Sequence, residues 1–196
     1  MKVNEIFYSI QGEGHFAGVA AVFVRLSGCN LRCPFCDTEF ESGVVMSEDD
    51  IVNEVMRYPA SHVVITGGEP TLQLTSSLCR KLKGAGKFLQ IETNGTNELA
   101  PGVAELIDWV TCSPKGAPVR IQKIDELKVV FGGSSAVSPD DCGELLERHG
   151  AVASLQPCDM GNPGDNQRIV RETFEYLLAH PRWRLSLQTH KMIDVR

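Results

Sequence analysis

The chain has 196 residues, 42% of them hydrophobic and 22% charged, which predicts a single globular domain over residues 1–196. Its formal net charge of -6 argues against a nucleic-acid partner, because a surface that binds phosphate backbones carries Lys and Arg in clustered excess. No apolar run approaches the roughly 20 residues that span a bilayer, and residues 1–10 lack the pattern of a secretory signal, so we expect a cytoplasmic protein with no membrane partner.

Short apolar runs alternate with helical patterns along the chain. The predicted strands are Val22–Leu26, Val63–Ile65, Phe88–Glu92, Trp109–Cys112, Glu126–Phe131 and Val152–Leu155, with a last apolar run at Leu185–Leu187. The predicted helices are one that Ser47 caps and that ends near Pro59, then Leu72–Lys83, Pro139–Arg148 and Asn166–Ala179. Strands separated by helices predict parallel pairing, and six or seven strands are too few for a full barrel of about 250 residues. The predicted fold class is α/β, a partial (β/α)6-type barrel.

Polar or sulfur-bearing side chains follow the predicted strands at the points where the strands end. They are Cys29, Thr66, Asn94, Ser113, Gln156 and His190. Because ligands of parallel α/β folds bind at the carboxyl ends of the strands, we expect these side chains to meet in one open site. Residues 157–164, with two prolines and two glycines, form the one long loop that we expect to be mobile or to act as a lid.

Three cysteines stand at the spacing CxxxCxxC, namely Cys29, Cys33 and Cys36. Structural zinc sites and electron-transfer clusters normally take four protein ligands, whereas three cysteines on a four-iron cluster leave one iron free to hold a small molecule. The alternative is a zinc-binding or electron-carrying module, which predicts a fourth ligand cysteine close to Cys36. None follows until Cys79, and the other four cysteines lack ligand spacing, so we expect them to be small buried side chains in a reducing compartment.

The cysteine loop, with Phe35 before its third cysteine, resembles the radical S-adenosylmethionine (SAM) superfamily, and this resemblance implies a [4Fe-4S] cluster on the three cysteines and a partial barrel. Gly67–Pro70 and Ser113–Lys115 match two more signatures of the superfamily, although the first is also an ordinary Gly-Pro turn. Paired glycines let the backbone approach a ligand closely, and the Glu69 carboxylate can accept a hydrogen bond from the SAM amine. The resemblance implies that SAM is bound by Phe35, Cys36, Asp37, Gly68, Glu69, Ser113, Pro114, Lys115 and Gln156.

The stretch Tyr8–Gly14, together with Arg25, Cys36–Thr38 and Leu187–Lys191, is similar to the 7-carboxy-7-deazaguanine synthase family, and the similarity runs from about Glu5 to Lys191. It implies conversion of 6-carboxy-5,6,7,8-tetrahydropterin to 7-carboxy-7-deazaguanine with loss of ammonia, in queuosine biosynthesis, with radical chemistry carried by SAM and the cluster. It also implies Mg²⁺ on Thr38, a flavodoxin- or ferredoxin-type electron donor and a homodimer. The implied substrate-binding residues are Ile10, Gln11, Gly12, Glu13, Arg25, Thr66 and His190.

Several alternatives remain open at the level of sequence. Arg25 suits a substrate carboxylate but could pair with a surface acid, His190 could be a structural histidine, and the Thr38 hydroxyl could simply stabilise its loop. A radical SAM activase that installs a glycyl radical on a partner enzyme shares the cysteine loop. The polar stretch Tyr8–Gly14 favours a small heterocycle, because an activase needs an open face for a peptide loop.

Overall fold

The computed structural model describes residues 1–133 and 135–195 as one sheet with helices packed against it. The strands are β1 (Lys2–Ile10), β2 (Ala20–Leu26), β3 (Val44–Val45), β4 (His62–Gly67), β5 (Phe88–Thr93), β6 (Trp109–Cys112), β7 (Glu126–Phe131), β8 (Val152–Pro157) and β9 (Trp183–Leu185). The helices are α1 (Glu48–Val55), α2 (Ser76–Gly84), α3 (Gly143–His149), α4 (Pro163–Ala179) and α5 (Thr189–Met192), with 3₁₀ turns at Pro70–Leu72 and Pro139–Cys142.

The sheet has the strand order β3-β1-β2-β4-β5-β6-β7-β8-β9. All neighbours from β2 to β9 pair in parallel, which confirms the predicted open α/β barrel of mostly parallel strands. The sequence prediction missed β1 and β3, which pair antiparallel at one edge. An antiparallel strand needs no crossover helix, and β1 buries few side chains, so it lacks the apolar run by which the other strands were predicted.

The two faces of the sheet differ in chemistry because successive strand residues point to opposite sides. One set of alternating residues, which includes Val63, Ile65, Leu89 and Ile91, packs with apolar helix residues such as Leu78 in the main core. The alternate set on β5 to β8 is buried and largely polar, and it comprises Gln90, Thr111, Glu126, Lys128, Ser154 and Gln156. The core therefore lies on the helix side, while the other side supplies polar groups to an interior space.

The helices α1, α2 and α4 each begin after a side chain that caps their first turn. Two of these starts differ from the starts that the apolar pattern predicted. Helix α1 begins after Ser47 with the full capping box that its sequence indicates. The predicted helix Leu72–Lys83 is wrong in its first turn: a 3₁₀ turn ends at Leu72, and α2 starts after Thr75, whose hydroxyl accepts from the Leu78 amide. Among the described residues, no helix combines the length and apolar character needed to cross a bilayer.

Helix α4 starts three residues earlier than Asn166, because the Asn162 side chain caps it. Strand β8 also runs on to Pro157, so the long loop predicted over residues 157–164 shortens to residues 158–162. The prediction that this loop acts as a lid stays a prediction.

The assignment of the hydrophobic core can be tested by comparing how two leucine substitutions change the free energy of unfolding. Leu155 is fully buried in the core, whereas Leu178 is 70% exposed on α4. Leu155→Ala should lower the free energy of unfolding by about 2 to 5 kcal/mol, because it removes apolar contacts and leaves a cavity. Leu178→Ala is the matched control and should change the free energy by less than about 0.5 kcal/mol. Urea unfolding of the reduced apoprotein measures both, and equal losses would contradict the assignment of the core.

Candidate active site

One cavity of about 570 Å³ opens at the carboxyl ends of the parallel strands. All six strand-end residues that the sequence predicts to meet do line it: Cys29, Thr66, Asn94, Ser113, Gln156 and His190. The lining also includes the predicted residues Ile10, Gln11, Gly12, Glu13, Arg25, Cys33, Phe35, Cys36, Asp37, Thr38, Gly68 and Lys115. The predicted residues Glu69 and Pro114 are not among the described residues that line this cavity.

The cysteine loop lies at one side of the cavity with its thiols close enough to influence one another. Cys29 and Cys33 are half-buried and Cys36 is exposed. Burial raises the pKa of the Cys29 and Cys33 thiols, and the neighbouring Cys36 thiol raises both further. Lys115 acts in the opposite direction on the pKa of Cys33. Because Cys29 and Cys33 are costly to ionise without a cation nearby, they fit a group that brings positive iron to them.

The cysteine loop brings three sulfur donors to the cavity. In the part of the chain that the structure describes, no three His, Cys, Asp or Glu side chains are placed to hold a single metal ion. The loop itself is held by its backbone: Gly28 has a φ of +88° and donates to the Phe40 carbonyl at 2.7 Å, and the Cys36 amide donates to the Cys33 carbonyl at 3.1 Å. The loop is thus shaped by its own hydrogen bonds.

The two glycines after β4 pack against the protein's own chain. A Cβ on Gly68 would lie 2.1 Å from the Gly28 carbonyl oxygen, and a Cβ on Gly67 would lie 2.0 Å from the Leu26 oxygen. The sequence prediction was that these glycines let the backbone approach a ligand closely. The structure shows that the glycines first allow the end of β4 to support the cysteine loop, while Gly68 also lines the cavity.

Glu69 has different partners from those the sequence predicted. Its side chain is fully buried, and its carboxylate accepts from the Thr71 amide at 3.0 Å, the Thr93 hydroxyl at 2.8 Å and the Asn94 amide at 2.7 Å. These bonds join the ends of β4 and β5. Glu69 therefore supports the cavity wall, and its predicted contact with the SAM amine stays a prediction.

Lys115 is the main charged group on the predicted SAM side. Its Nζ donates to the Ser113 hydroxyl at 2.7 Å and lies 5.3 Å from the centre of the Phe35 ring. Burial lowers the pKa of Lys115, and the neighbouring Lys128 lowers it further. On the same side, the Gln156 side-chain oxygen accepts from the Ser186 hydroxyl at 3.1 Å. A cation, an aromatic ring and an amide thus border this part of the cavity.

Arg25 faces the cavity from β2 and is oriented by two neighbours. Its Nε donates to the Glu5 carboxylate at 2.9 Å, and Nη1 donates to the Thr38 hydroxyl at 3.4 Å. The guanidinium carbon lies 5.7 Å from the centre of the Phe7 ring. The ion pair that the sequence left open as an alternative does exist, but it lies in the cavity wall and fixes the guanidinium there.

The N-terminal and C-terminal motifs touch each other at His190. A Cβ on Gly12 would lie 1.9 Å from His190 Nδ1, and both the amide and the hydroxyl of Thr189 donate to the Gly12 carbonyl at 2.9 Å. Only glycine leaves room for the imidazole at this point. The chain ends that the sequence predicted to share a site are in direct contact.

Lys191 joins three segments at the edge of the cavity. Its Nζ lies 2.8 Å from the Asp37 carboxylate and 2.8 Å from that of Asp159. The Lys191 and Gly161 bonds lower the pKa of Asp159. The Asn166 side chain also donates to Asp159 at 2.8 Å. These contacts hold the residue 158–162 loop and α5 beside the cysteine loop.

A group of charges in the cavity wall escaped the sequence prediction apart from Glu13. Lys128 Nζ lies 2.6 Å from Glu13 and 2.9 Å from Glu92, and Gln188 and Gln11 donate to these two carboxylates at 2.8 and 3.2 Å. Burial favours the neutral acid at Glu13, but Lys128 outweighs it and lowers the Glu13 pKa to about 2. The signal was present in the sequence, because Gln90 and Glu92 on β5 and Glu126 and Lys128 on β7 alternate with apolar residues.

Comparison with known proteins shows which superfamily and which relatives the chain resembles. The model of the radical SAM superfamily matches residues 23–131. A 7-carboxy-7-deazaguanine synthase of Bacteroides thetaiotaomicron is 49% identical, and the alignment covers 100% of this chain and 98% of that protein. One of Bordetella pertussis is 40% identical, with 99% and 98% covered.

Solved structures give the same relation. The crystal structure of QueE from Escherichia coli has a TM-score of 0.77 and 33% identity, covering 96% of this chain and 94% of that one. Streptococcus suis SuiB, with 15% identity and a TM-score of 0.51, shows likeness of fold alone. Sequence identity over the full length and the match to the superfamily model show that the chain belongs to the 7-carboxy-7-deazaguanine synthase family of the radical SAM superfamily.

Proposed function

We propose that the protein is a carbon-nitrogen lyase that converts 6-carboxy-5,6,7,8-tetrahydropterin to 7-carboxy-7-deazaguanine and ammonia, in the biosynthesis of queuosine and related 7-deazapurines. One observation carries the proposal: a single cavity is lined both by the three cysteines and by polar groups suited to a small carboxylated heterocycle, namely Gln11, Glu13, Arg25 and His190. The names of the full-length relatives favour this function over a glycyl-radical activase.

On this proposal, Cys29, Cys33 and Cys36 hold the [4Fe-4S] cluster. When bound there, the cluster and SAM would supply the radical chemistry that removes a hydrogen atom from the substrate. The chain's own groups bind and orient. Phe35, Gly68, Ser113, Lys115 and Gln156 border the space for SAM, and the partly enclosed cavity limits the access of water to the reacting atoms.

Arg25 would bind the carboxylate of the substrate. Its guanidinium already has its direction set by Glu5 and points toward Thr38, so it is preorganised to meet an anion there. Gln11 and Glu13 offer acceptors for the N-H groups of the pterin, and His190 closes the same wall.

Four further elements belong to the proposal. They are a Mg²⁺ ion on the Thr38 hydroxyl, an electron donor of the flavodoxin or ferredoxin type, a homodimer and a cytoplasmic location. The Mg²⁺ assignment is supported by the position of Thr38 beside Arg25, because a substrate carboxylate at Arg25 would be within reach of an ion at Thr38.

The direct test is anaerobic reconstitution of the protein with iron and sulfide, followed by SAM, reductant and the carboxytetrahydropterin. Mass spectrometry should detect 7-carboxy-7-deazaguanine together with ammonia. A preparation that binds a cluster and cleaves SAM but makes no deazapurine would leave the superfamily assignment intact and overturn the proposed substrate.

Replacing any one of Cys29, Cys33 or Cys36 by alanine should abolish SAM cleavage and reduce bound iron, because each thiolate binds a different corner of one cluster. Cys79→Ala and Cys142→Ala serve as controls, since both thiols are buried in the main core. The controls should keep the iron content and SAM cleavage of the parent. Iron analysis and 5′-deoxyadenosine assays decide the point, and loss of both properties in the Cys79 variant would show that the ligands are misassigned.

Arg25→Ala should weaken use of the pterin by about 10- to 150-fold in kcat/KM, since losing a charge-assisted bond costs about 1.5 to 3 kcal/mol. The affinity for SAM should change little. Lysine should restore only part of the loss, because it lacks the planar donor fork.

Arg57→Ala is the matched control, because Arg57 lies on the exposed end of the α1 region and pairs with Glu54. Steady-state kinetics with each variant give the comparison. A kcat/KM for the pterin in Arg25→Ala that equals that of Arg57→Ala would remove Arg25 from the substrate site.

Thr38→Ala should keep the cluster and SAM cleavage but require more Mg²⁺ for half-maximal deazapurine formation. The reason is that Mg²⁺ prefers oxygen ligands and binds through few protein groups plus the oxygens of a substrate. Thr38→Ser keeps the hydroxyl and should behave much more like the parent. Titration of product formation with Mg²⁺ measures the effect, and an identical Mg²⁺ dependence in the alanine variant would refute the role of Thr38.

A further inference from the structure

Glu92 lies among the residues proposed to bind the substrate, although no motif points to it. Arg25 on β2 pairs with Thr66 on β4, and the pairing of Ile65 with Ile91 places Glu92 of β5 beside Thr66. Neighbouring strands are about 4.8 Å apart, so these three side chains form one row across the cavity. Glu92 lines the cavity and also accepts from Gln11 at 3.2 Å.

The charges around Glu92 do not balance. Glu13 from the loop after β1, and Glu126 and Lys128 from β7, act on it most directly. Two further cations line the same cavity: Arg25, which is paired with Glu5, and Lys115, which donates to the Ser113 hydroxyl. Lys128 bonds to both Glu13 and Glu92, while Glu126 is fully buried and is bonded by the hydroxyls of Thr111 and Ser154. One ammonium cannot neutralise three carboxylates, and a buried charge without a partner is costly. At least one of these acids therefore tends to hold a proton.

Glu92 differs from Glu13 in its pKa, which suits Glu92 to exchange a proton near neutral pH. Burial raises the pKa of Glu92 to about 7; Lys128 opposes this shift, and the neighbouring Glu13 and Glu126 carboxylates add to it. Glu13 stays ionised, because Lys128 and Gln188 both donate to it. Two carboxylates on one lysine thus have their pKa values far apart, which is a common arrangement for an acid and base pair in a site.

We propose, on the basis of the proposed function, that Glu92 is a catalytic acid and base for the step that releases ammonia, and that Lys128 is its positioning residue. The proposed conversion turns the six-membered ring of the pterin that carries the carboxylate into a five-membered ring, and the step follows this contraction, when the departing amine is still bonded to a carbon of the ring. The C–N bond breaks, its electron pair leaves with nitrogen, and the Glu92 carboxylic acid gives its proton to that nitrogen. The adjacent ring carbon loses its C–H proton, those electrons form the ring double bond, and the Glu92 carboxylate accepts the proton.

No oxidant or reductant enters this step, and Glu92 ends as the acid it was at the start. An amine leaves poorly as an anion, so a proton donor inside the partly enclosed cavity makes it a better leaving group. General acid-base catalysis of this kind contributes about 10²- to 10⁴-fold in rate.

The test compares Glu92→Gln with Glu126→Gln in the reconstituted holoenzyme. Glutamine keeps the shape and hydrogen bonding of the side chain but cannot exchange a proton. Glu92→Gln should still cleave SAM when substrate is present, form deazapurine at least about 100-fold more slowly, and accumulate a compound of the same mass as the substrate, because every step before ammonia loss is an isomerisation. Glu126→Gln removes a buried carboxyl outside the cavity. It should move the pH dependence of ammonia release to lower pH, because the Glu126 carboxylate raises the Glu92 pKa, and below that pH it should accumulate no such isomer.

The pH dependence separates a catalytic from a structural role. In the parent, ammonia release should slow above about pH 7 as Glu92 ionises, and the Glu92→Gln profile should lack this break. Lys128→Met should move the break to higher pH, because it removes the positive charge that favours the carboxylate. Infrared difference spectra of the apoprotein supply a readout without turnover: a carboxylic acid band that titrates near neutral pH should be present in the parent and absent in Glu92→Gln.

Three results would overturn the proposal. They are deazapurine formation by Glu92→Gln at the parent rate, loss of SAM cleavage in that variant with no accumulated isomer, and an unchanged pH break in folded Lys128→Met. If Glu92→Gln does not fold, the Lys128→Met profile decides alone. A parent enzyme that cleaves SAM but converts none of the pterin would instead count against the proposed function, and the infrared titration would still report on Glu92.

Discussion

The structure depends on one geometric constraint, the alternation of side chains along parallel strands. On β4 and β5 it sends Val63, Ile65, Leu89 and Ile91 to the helices, and it sends Thr66, Gln90 and Glu92 to the opposite side. The apolar face carries the hydrophobic stabilisation of the fold. The other face is then available for polar groups, and because β3 and β9 do not pair with each other the cavity stays open to ligands.

Where the sequence carried local signals, prediction from it was accurate. Trp109–Cys112 and Glu126–Phe131 were predicted at their observed bounds, and the strand-end residues from Cys29 to His190 do meet in one cavity, because the carboxyl ends of parallel strands converge whatever the loops do. Side-chain pairs between residues far apart in the chain could not be predicted from the sequence. Glu69 accepts from Thr93 and Asn94, which lie 24 and 25 positions away, and the ion pairs of Lys128 join residues 36 and 115 positions apart. Alternation can show that charged residues of β5 and β7 leave the apolar face, but it cannot show which of them pair.

Segments near both ends of the chain form part of the cavity wall. Gly12 receives two hydrogen bonds from Thr189 and lies against the His190 ring, while Lys191 connects the cysteine loop to the segment after β8. Residues from both ends of the chain thereby border the same space. The three segments that carry the family motifs, namely the two chain ends and the cysteine loop, therefore converge on the cavity, while the helices pack on the other face of the sheet.

The buried charges are best understood through function. Removing one partner of a buried ion pair costs about 3 to 5 kcal/mol, yet replacing a whole pair by apolar residues is often neutral or stabilising. Stability alone therefore gives no reason to keep Glu13, Glu92, Glu126 and Lys128 in the interior. A ligand that presents N-H donors and releases a basic nitrogen does give one, because it needs acceptors and a mobile proton where water is scarce. On the proposed function, the polar face of the sheet serves the ligand, while the apolar face stabilises the fold.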